Sequence, residues 1–375
     1  MKLLFDNIHK QLQELPFKKV ILKNNQLTTM IYNFYESYDN DLFDLANAFN
    51  NTFENESESS NRINSFILQD NQLFEELQNY LIKTKLFETN AIKNFNQATK
   101  SSSIAKCSSD KSFYIMKCYD YFIYLFDKNS KESIMVVNNN KKAISMINIL
   151  LLTPYLMYGE LNAIHGGLVN KNDLNIIINN TSLGGKTTFA ILFAQDGWDI
   201  ITEENTYISK NGKILPYNIR NYFNIRVGTY LAFEEFFMKK NIVYEPFLSL
   251  KGKSPEELFE YGKNNQLSIT FKELGTNFKF NNQKITHSLK VSILKDSNLI
   301  ISKGDAQDLV NSFAGLSSSP TVELFQELLD SNTIDINIRK ENLSSILEDV
   351  QNFTITTGLD YIKNFKHIKD KINIK

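Results

Sequence analysis

The stretch Ile176–Trp198 reads IIINNTSLGGKTTFAILFAQDGW, and the fold turns on it. Leu174–Asn179 is a short apolar run ended by asparagines, as expected for a buried strand in a parallel sheet. Phe189, Ala190, Leu192 and Phe193 line one face of the helix that follows, and Gly197 closes it. Trp198–Ile201 is the next strand. Strand, glycine-bearing loop, helix and strand in this order predict an α/β nucleotide-binding core.

The loop carries the chemistry. A glycine, four residues and then Gly-Lys-Ser/Thr, set between a strand and a helix, is the phosphate-binding pattern. Gly185-Lys186-Thr187 is intact, while Asn180 stands at the first glycine position. Asparagine tolerates left-handed backbone angles better than most residues. Gly184 and Gly185 let main-chain amides approach phosphate oxygens at the helix start. Lys186 is expected to reach the terminal phosphates of ATP, and the Thr187 hydroxyl to hold magnesium. Asn180, Ser182 and Thr188 complete the expected nucleotide contacts. The competing explanation is a helix that starts with Gly-Gly-Lys-Thr-Thr by chance, and the flanking elements weigh against it.

Glu203 and Glu204 lie 17 and 18 positions beyond Lys186, just past the second strand. Ligands in parallel α/β cores sit beyond the carboxyl ends of strands. Paired acids there can hold magnesium or accept the proton of an attacking hydroxyl, although two adjacent glutamates alone also fit a solvated loop. His165, in Ala163-Ile164-His165-Gly166-Gly167, has glycine neighbours that would let a phosphate or substrate backbone come near; a hydrogen-bonded core histidine is the alternative. His9, His287 and His367 lack such surroundings. Arg220 and Arg226 are two of only four arginines among 41 basic side chains, so a planar fork is expected where phosphate is bound, with surface ion pairing as the alternative. Asp305 and Asp308 read as a helix start rather than a metal site.

Working outward, Thr206–Ile208 and Lys213–Leu215 bracket Asn211-Gly212, and Tyr121–Phe126 and Ser133–Val137 flank Asp127–Ser130; both are hairpin signals. Residues 1–105 are expected to be mostly helical, with stripes at Leu42, Leu45 and Phe49 and at Leu73, Phe74, Leu77 and Leu81 around a polar loop, Glu54–Arg62. These stripes read as core-facing sides, with a docking surface as the second possibility. The serine-rich Ser101–Asp110 is the linker candidate, leaving 106–375 as the nucleotide-binding domain.

The 41 basic and 42 acidic side chains nearly cancel, which argues against a partner found by bulk charge, whether nucleic acid or membrane surface. Cys107 and Cys118 make neither a disulfide framework nor a metal motif, in keeping with a reducing cytoplasm. No signal peptide is expected at the N-terminus. Ala143–Gly159 is uncharged but carries Ser145, Asn148, Thr153 and Pro154, and reads as a buried helix in a soluble protein.

Together, His165-Gly166, Asn180–Thr187 (NTSLGGKT), Gly197 and Ile201–Glu204 (ITEE) resemble the HPr kinase/phosphorylase family. That family runs HG, then GDSGxGKS, a helix ended by glycine, and VxDD, with the last glycine and the acidic pair at the spacing found here. The resemblance covers about Ile144–Arg226. It implies a P-loop core like that of phosphoenolpyruvate carboxykinase, whose loop also ends GKTT, joined to the mostly helical N-terminal domain. It further implies Glu203 as general base, Glu204 as metal ligand or base, and His165 beside the transferred phosphate. The chain departs from the pattern at Asn180, at Leu183 and at both glutamates, each one methylene longer than aspartate. It also lacks the C-terminal signature of the bifunctional enzymes and so looks more like divergent relatives that phosphorylate a serine or other hydroxyl in peptide modification.

The expectation is therefore an ATP- and magnesium-dependent kinase acting on a peptide or small protein, with residues 1–105 available for substrate recognition and homo-oligomerisation left open. A small-molecule acceptor, a degenerate nucleotide-binding regulator or scaffold, and a carboxykinase-like lyase are the rivals. The last would need a second histidine and lysine cluster that the sequence does not display.

Overall fold

The computed structural model describes residues 2–15, 18–22, 29–34, 49–50, 62–85, 87–98, 103–138, 152–180, 184–215, 222–275, 284–311, 320–329 and 336–374. It is a mixed α/β protein with several mixed sheets. The chain divides into two compact units. One comprises Met1–Leu161 with Gly315–Ile336, and the other Asn162–Ala314 with Asn337–Lys375.

The first unit is built on a seven-stranded sheet in the order β1-β2-β3-β7-β6-β5-β4. Its strands are β1 (Lys18–Leu22), β2 (Thr29–Phe34), β3 (Arg62–Gln69), β4 (Ile104–Cys107), β5 (Phe113–Cys118), β6 (Phe122–Asp127) and β7 (Glu132–Val137). Among the described residues of the N-terminal region, the expected helices are joined by strands of this sheet. Helical periodicity is sound in α1 (Lys2–Gln13), α2 (Asn71–Lys83) and α3 (Asn90–Ala98), and Phe74, Leu77 and Leu81 are buried as expected. However, β1, β2 and β3 join the sheet by pairings that hydrophobic periodicity does not reveal. Two of these, β2 with β3 and β3 with β7, are parallel. Nor does the chain divide at residue 105, because β4 pairs with β5 and the helix Pro320–Leu329 returns to lie against α3. Glu327 of that helix accepts from Thr89 at 2.6 Å and from Tyr114 at 3.2 Å. The β6–β7 hairpin forms as read. Leu42, Leu45, the loop of residues 51–61 and most of Ala143–Gly159 lie outside the described residues. Among the described residues no helix is long and apolar enough to cross a membrane.

The second unit holds the strand–loop–helix. Its main sheet runs β11-β9-β10-β16-β18-β17, with β9 (Gly167–Lys171), β10 (Leu174–Asn179), β11 (Asp199–Thr202), β16 (His287–Ile293), β17 (Ile300–Lys303) and β18 (Gln351–Thr357). Strand β10 is buried as predicted but parallel on one side only, to β16; on the other side β9 is antiparallel, returning through a short turn. Strand β18 is parallel to β16, and β11 is antiparallel to β9. The carboxyl ends of β10, β11, β16 and β18 therefore share one edge. A three-stranded sheet of β8 (Leu161–His165), β12 (Asn205–Ser209) and β13 (Ile214–Leu215), and a hairpin of β14 (Tyr222–Arg226) with β15 (Gln266–Thr270), complete the strands. Gly212, at φ 80°, makes the β12–β13 turn that Asn211-Gly212 foretold.

Helix α4 (Lys186–Gln195) follows β10. It is buried on more than one face. Thr188, Ile191 and four residues of the predicted stripe are all inside, packed among Ile176, Ile178, Phe223 and Phe365. Asp305 and Asp308 behave as a helix start, with Asp305 accepting from the Gln307 amide at 2.9 Å and Asp308 paired to Lys290.

Candidate functional site

Gly185 caps α4 with φ 103° and ψ 8°, a conformation that glycine adopts without strain, and its carbonyl receives the Phe189 amide at 2.9 Å. The first amides of α4 have no partner within the helix, as at any helix start, and an anion site uses such amides. Asn180 does not simply replace a glycine. Its side-chain amide donates to the Val291 carbonyl and to Ser292 Oγ, tying the loop to the end of β16. The Gly184 carbonyl receives the Ile293 amide at 3.3 Å, a second tie to the same strand end.

Lys186 Nζ lies 2.6 Å from His165 Nε2 and donates to the Asn180 carbonyl at 2.9 Å. Burial pulls the lysine below its ordinary pKa, while Glu203 and Glu204 act in the opposite direction. Thr187 donates its hydroxyl to Glu203 Oε1 at 3.2 Å. The buried Thr188 hydroxyl meets that of Thr229, on α5 (Val227–Ala232), at 3.0 Å.

The glycines after His165 admit close approach by the protein's own backbone. A Cβ on Gly167 would stand 3.0 Å from the Glu203 carbonyl, and one on Gly166 3.1 Å from that of Ile178. They allow the β8–β9 crossing to press against the two neighbouring strands. Thr206 donates to the Gly166 carbonyl at 2.9 Å, and Thr202 accepts from the Leu168 amide at 3.1 Å, so the Glu203-Glu204 turn is held from both sides.

His165, Gly184, Gly185, Lys186, Thr187, Thr188, Glu203, Glu204 and Arg226 all line one cleft of about 770 Å³. Arg226 ends β14 and donates Nη1 to the Gly262 carbonyl at 2.6 Å. Ser182 and Arg220 lie outside the described residues. The rest of the lining was not readable from sequence. It includes α6 (Pro255–Asn264), the Glu256–Lys295 ion pair, Ile293, Leu359 and Tyr361. Phe259 and Leu359 line the cleft at 47% and 49% exposure, adding apolar surface beside its charged groups.

No protein-family model matches this chain, and no curated protein matches it in sequence. The site is thus characterised by its own geometry. Among the described residues no group of three or more histidines, cysteines or acids is gathered for a metal. The oxygen donors of Thr187, Glu203 and Glu204 at one edge do suit a small hard cation that keeps water and substrate phosphate oxygens as its other ligands.

Proposed function

We propose that the cleft binds a magnesium nucleoside triphosphate, ATP in the first instance, and transfers its terminal phosphoryl group to the hydroxyl of a peptide or small protein. The observation that carries this reading is the cluster of a glycine-capped helix start, the Lys186 ammonium and the Thr187–Glu203 pair at the carboxyl edge of parallel strands. The resemblance to HPr kinase-like proteins points the same way. Phosphoryl transfer asks mainly for positioning and charge stabilisation, and these groups supply both.

In this scheme the α4 amides and Lys186 hold the phosphates, and Thr187 with Glu204 would hold magnesium, which neutralises charge developing on the phosphate oxygens. Glu203 accepts the acceptor's hydroxyl proton. As the acceptor oxygen bonds to the terminal phosphorus, the bond from phosphorus to the bridging oxygen breaks and nucleoside diphosphate leaves.

Thermal unfolding with and without Mg-ATP, for wild type and Lys186→Ala, tests the premise. A ligand at 100 times its dissociation constant adds about 2.7 kcal/mol of stability. The wild type is expected to shift upward and the variant not; no shift in either removes the nucleotide and the kinase together. A Glu203→Gln variant that retains the shift but transfers no phosphate would support the base assignment. Retention of the shift by both wild type and Glu203→Gln, with no phosphate transfer by either, would instead identify a nucleotide-binding regulator.

A further inference from the structure

The contact between Lys186 and His165 constrains the protonation of both. With Lys186 as the ammonium, which carries donors only, the histidine Nε2 at 2.6 Å is the acceptor. The imidazole is then neutral, with its proton on Nδ1. The same lysine is the group that the nucleotide reading sends to the phosphates; two of its three donors are given to His165 and the Asn180 carbonyl, so turning more than one of them to phosphate means giving up one of these contacts.

We infer that His165 is a positioning residue that holds Lys186 in the free protein and takes up a proton when a nucleotide polyphosphate draws the lysine away. This rests on the nucleotide reading above. The charged groups lining the cleft with His165 are Lys186 on α4, Glu203 and Glu204 after β11, Arg226 at the end of β14, Glu260 on α6 and the Glu256–Lys295 pair. Lys186 Nζ lies 2.6 Å from the imidazole Nε2, and it is the group that binding relocates.

The sign of the coupling follows from electrostatics. An imidazolium beside an ammonium is repelled, and an imidazolium beside a polyanion is attracted. The complex therefore holds this proton more tightly than the free protein does. Nucleotide affinity accordingly rises as pH falls through the range around histidine's ordinary value of about 6.5, by at most about tenfold per pH unit. Glutamine at position 165 offers an acceptor oxygen at similar reach but cannot take the proton. Comparison with His165→Gln thus cancels proton effects that arise from the nucleotide itself and from the glutamates.

Titration calorimetry of the full chain with Mg-ATP, in buffers of different ionisation heat between about pH 5.5 and 8, measures the uptake directly. The wild type is expected to absorb more protons than His165→Gln, by up to about one per nucleotide, and to show the steeper rise in affinity at low pH. A second arm needs no nucleotide. In Lys186→Met the NMR titration midpoint of His165, assigned by its loss in His165→Gln, should move up, because the adjacent cation is gone. Equal proton uptake by two proteins that both bind Mg-ATP overturns the inference and leaves the nucleotide reading standing. Failure of the wild type to bind removes both, and the NMR midpoint then still decides whether Lys186 rests on His165.

Discussion

At position 180 the side chain does work that a glycine could not. Its amide reaches Val291 and Ser292 across 111 and 112 residues of sequence, and a Cβ on Gly184 would fall onto that amide. The substitution at 180 and the glycine at 184 are thus two halves of one arrangement. Gly185 is constrained differently, by φ 103° and by Ile293, whose side-chain carbons would stand 2.8 Å from a new Cβ. Gly185→Ala is expected to destabilise the protein by about 1–3 kcal/mol through backbone strain, read as a lower urea midpoint. Adding Ile293→Ala removes the clash but not the strain, so the double variant should remain less stable than Ile293→Ala alone. A Gly185→Ala protein as stable as wild type would overturn the loop geometry. Lys186, Thr187 and the two glycines were legible because their meaning is local: a motif, a strand before it and a helix after it. The true partner of Asn180 was not, because nothing near residue 180 names residue 291.

Helices α4 and α6 show how element-level expectations succeed or fail. The apolar run of α4 reads as a one-sided stripe, yet its residues are buried on several sides, with Phe193 edge-on to both Trp198 and Phe365 at 5.0 Å. Periodicity locates a helix but cannot say how many neighbours will cover it. Helix α6 starts with a full capping box at Ser254 and Glu257 and presents Phe259, half exposed, to the cleft. These two phenylalanines should therefore respond in opposite ways. Phe193→Ala is expected to cost about 3–5 kcal/mol in urea unfolding. Phe259→Ala should stay within about 0.5 kcal/mol of wild type while weakening whatever ligand packs on this exposed ring. Equal losses of stability would mean that Phe259 belongs to the core. The sheet of the first unit was the larger omission, since β1, β2 and β3 are joined by pairings that depend on register between distant segments. The parallel ladders add a further demand, because their strands must come from well-separated parts of the chain.

On the scale of the whole molecule, the chain leaves the first unit at Leu161, re-enters it at Gly315 and leaves it again after Ile336. Each unit has its own buried apolar cluster, one around Phe5, Phe66 and Leu125, the other around Phe189, Phe193 and Leu289. A ligand bound in the second unit stabilises that unit by linkage and leaves the first untouched unless the two unfold together. The sequence supplies a separate probe for each. The single tryptophan, Trp198, is buried in the second unit. Both cysteines are buried in the first, and burial pushes the Cys118 thiol up to about 12. Such a thiol is protonated and unreactive near pH 8 until its surroundings open, so its labelling reports unfolding of the first unit. Urea titration followed by tryptophan emission and by thiol labelling is expected to give separate midpoints. Mg-ATP should raise the tryptophan midpoint and leave that of the thiols where it was. If both midpoints coincide and move together with the ligand, the two clusters unfold as one cooperative block.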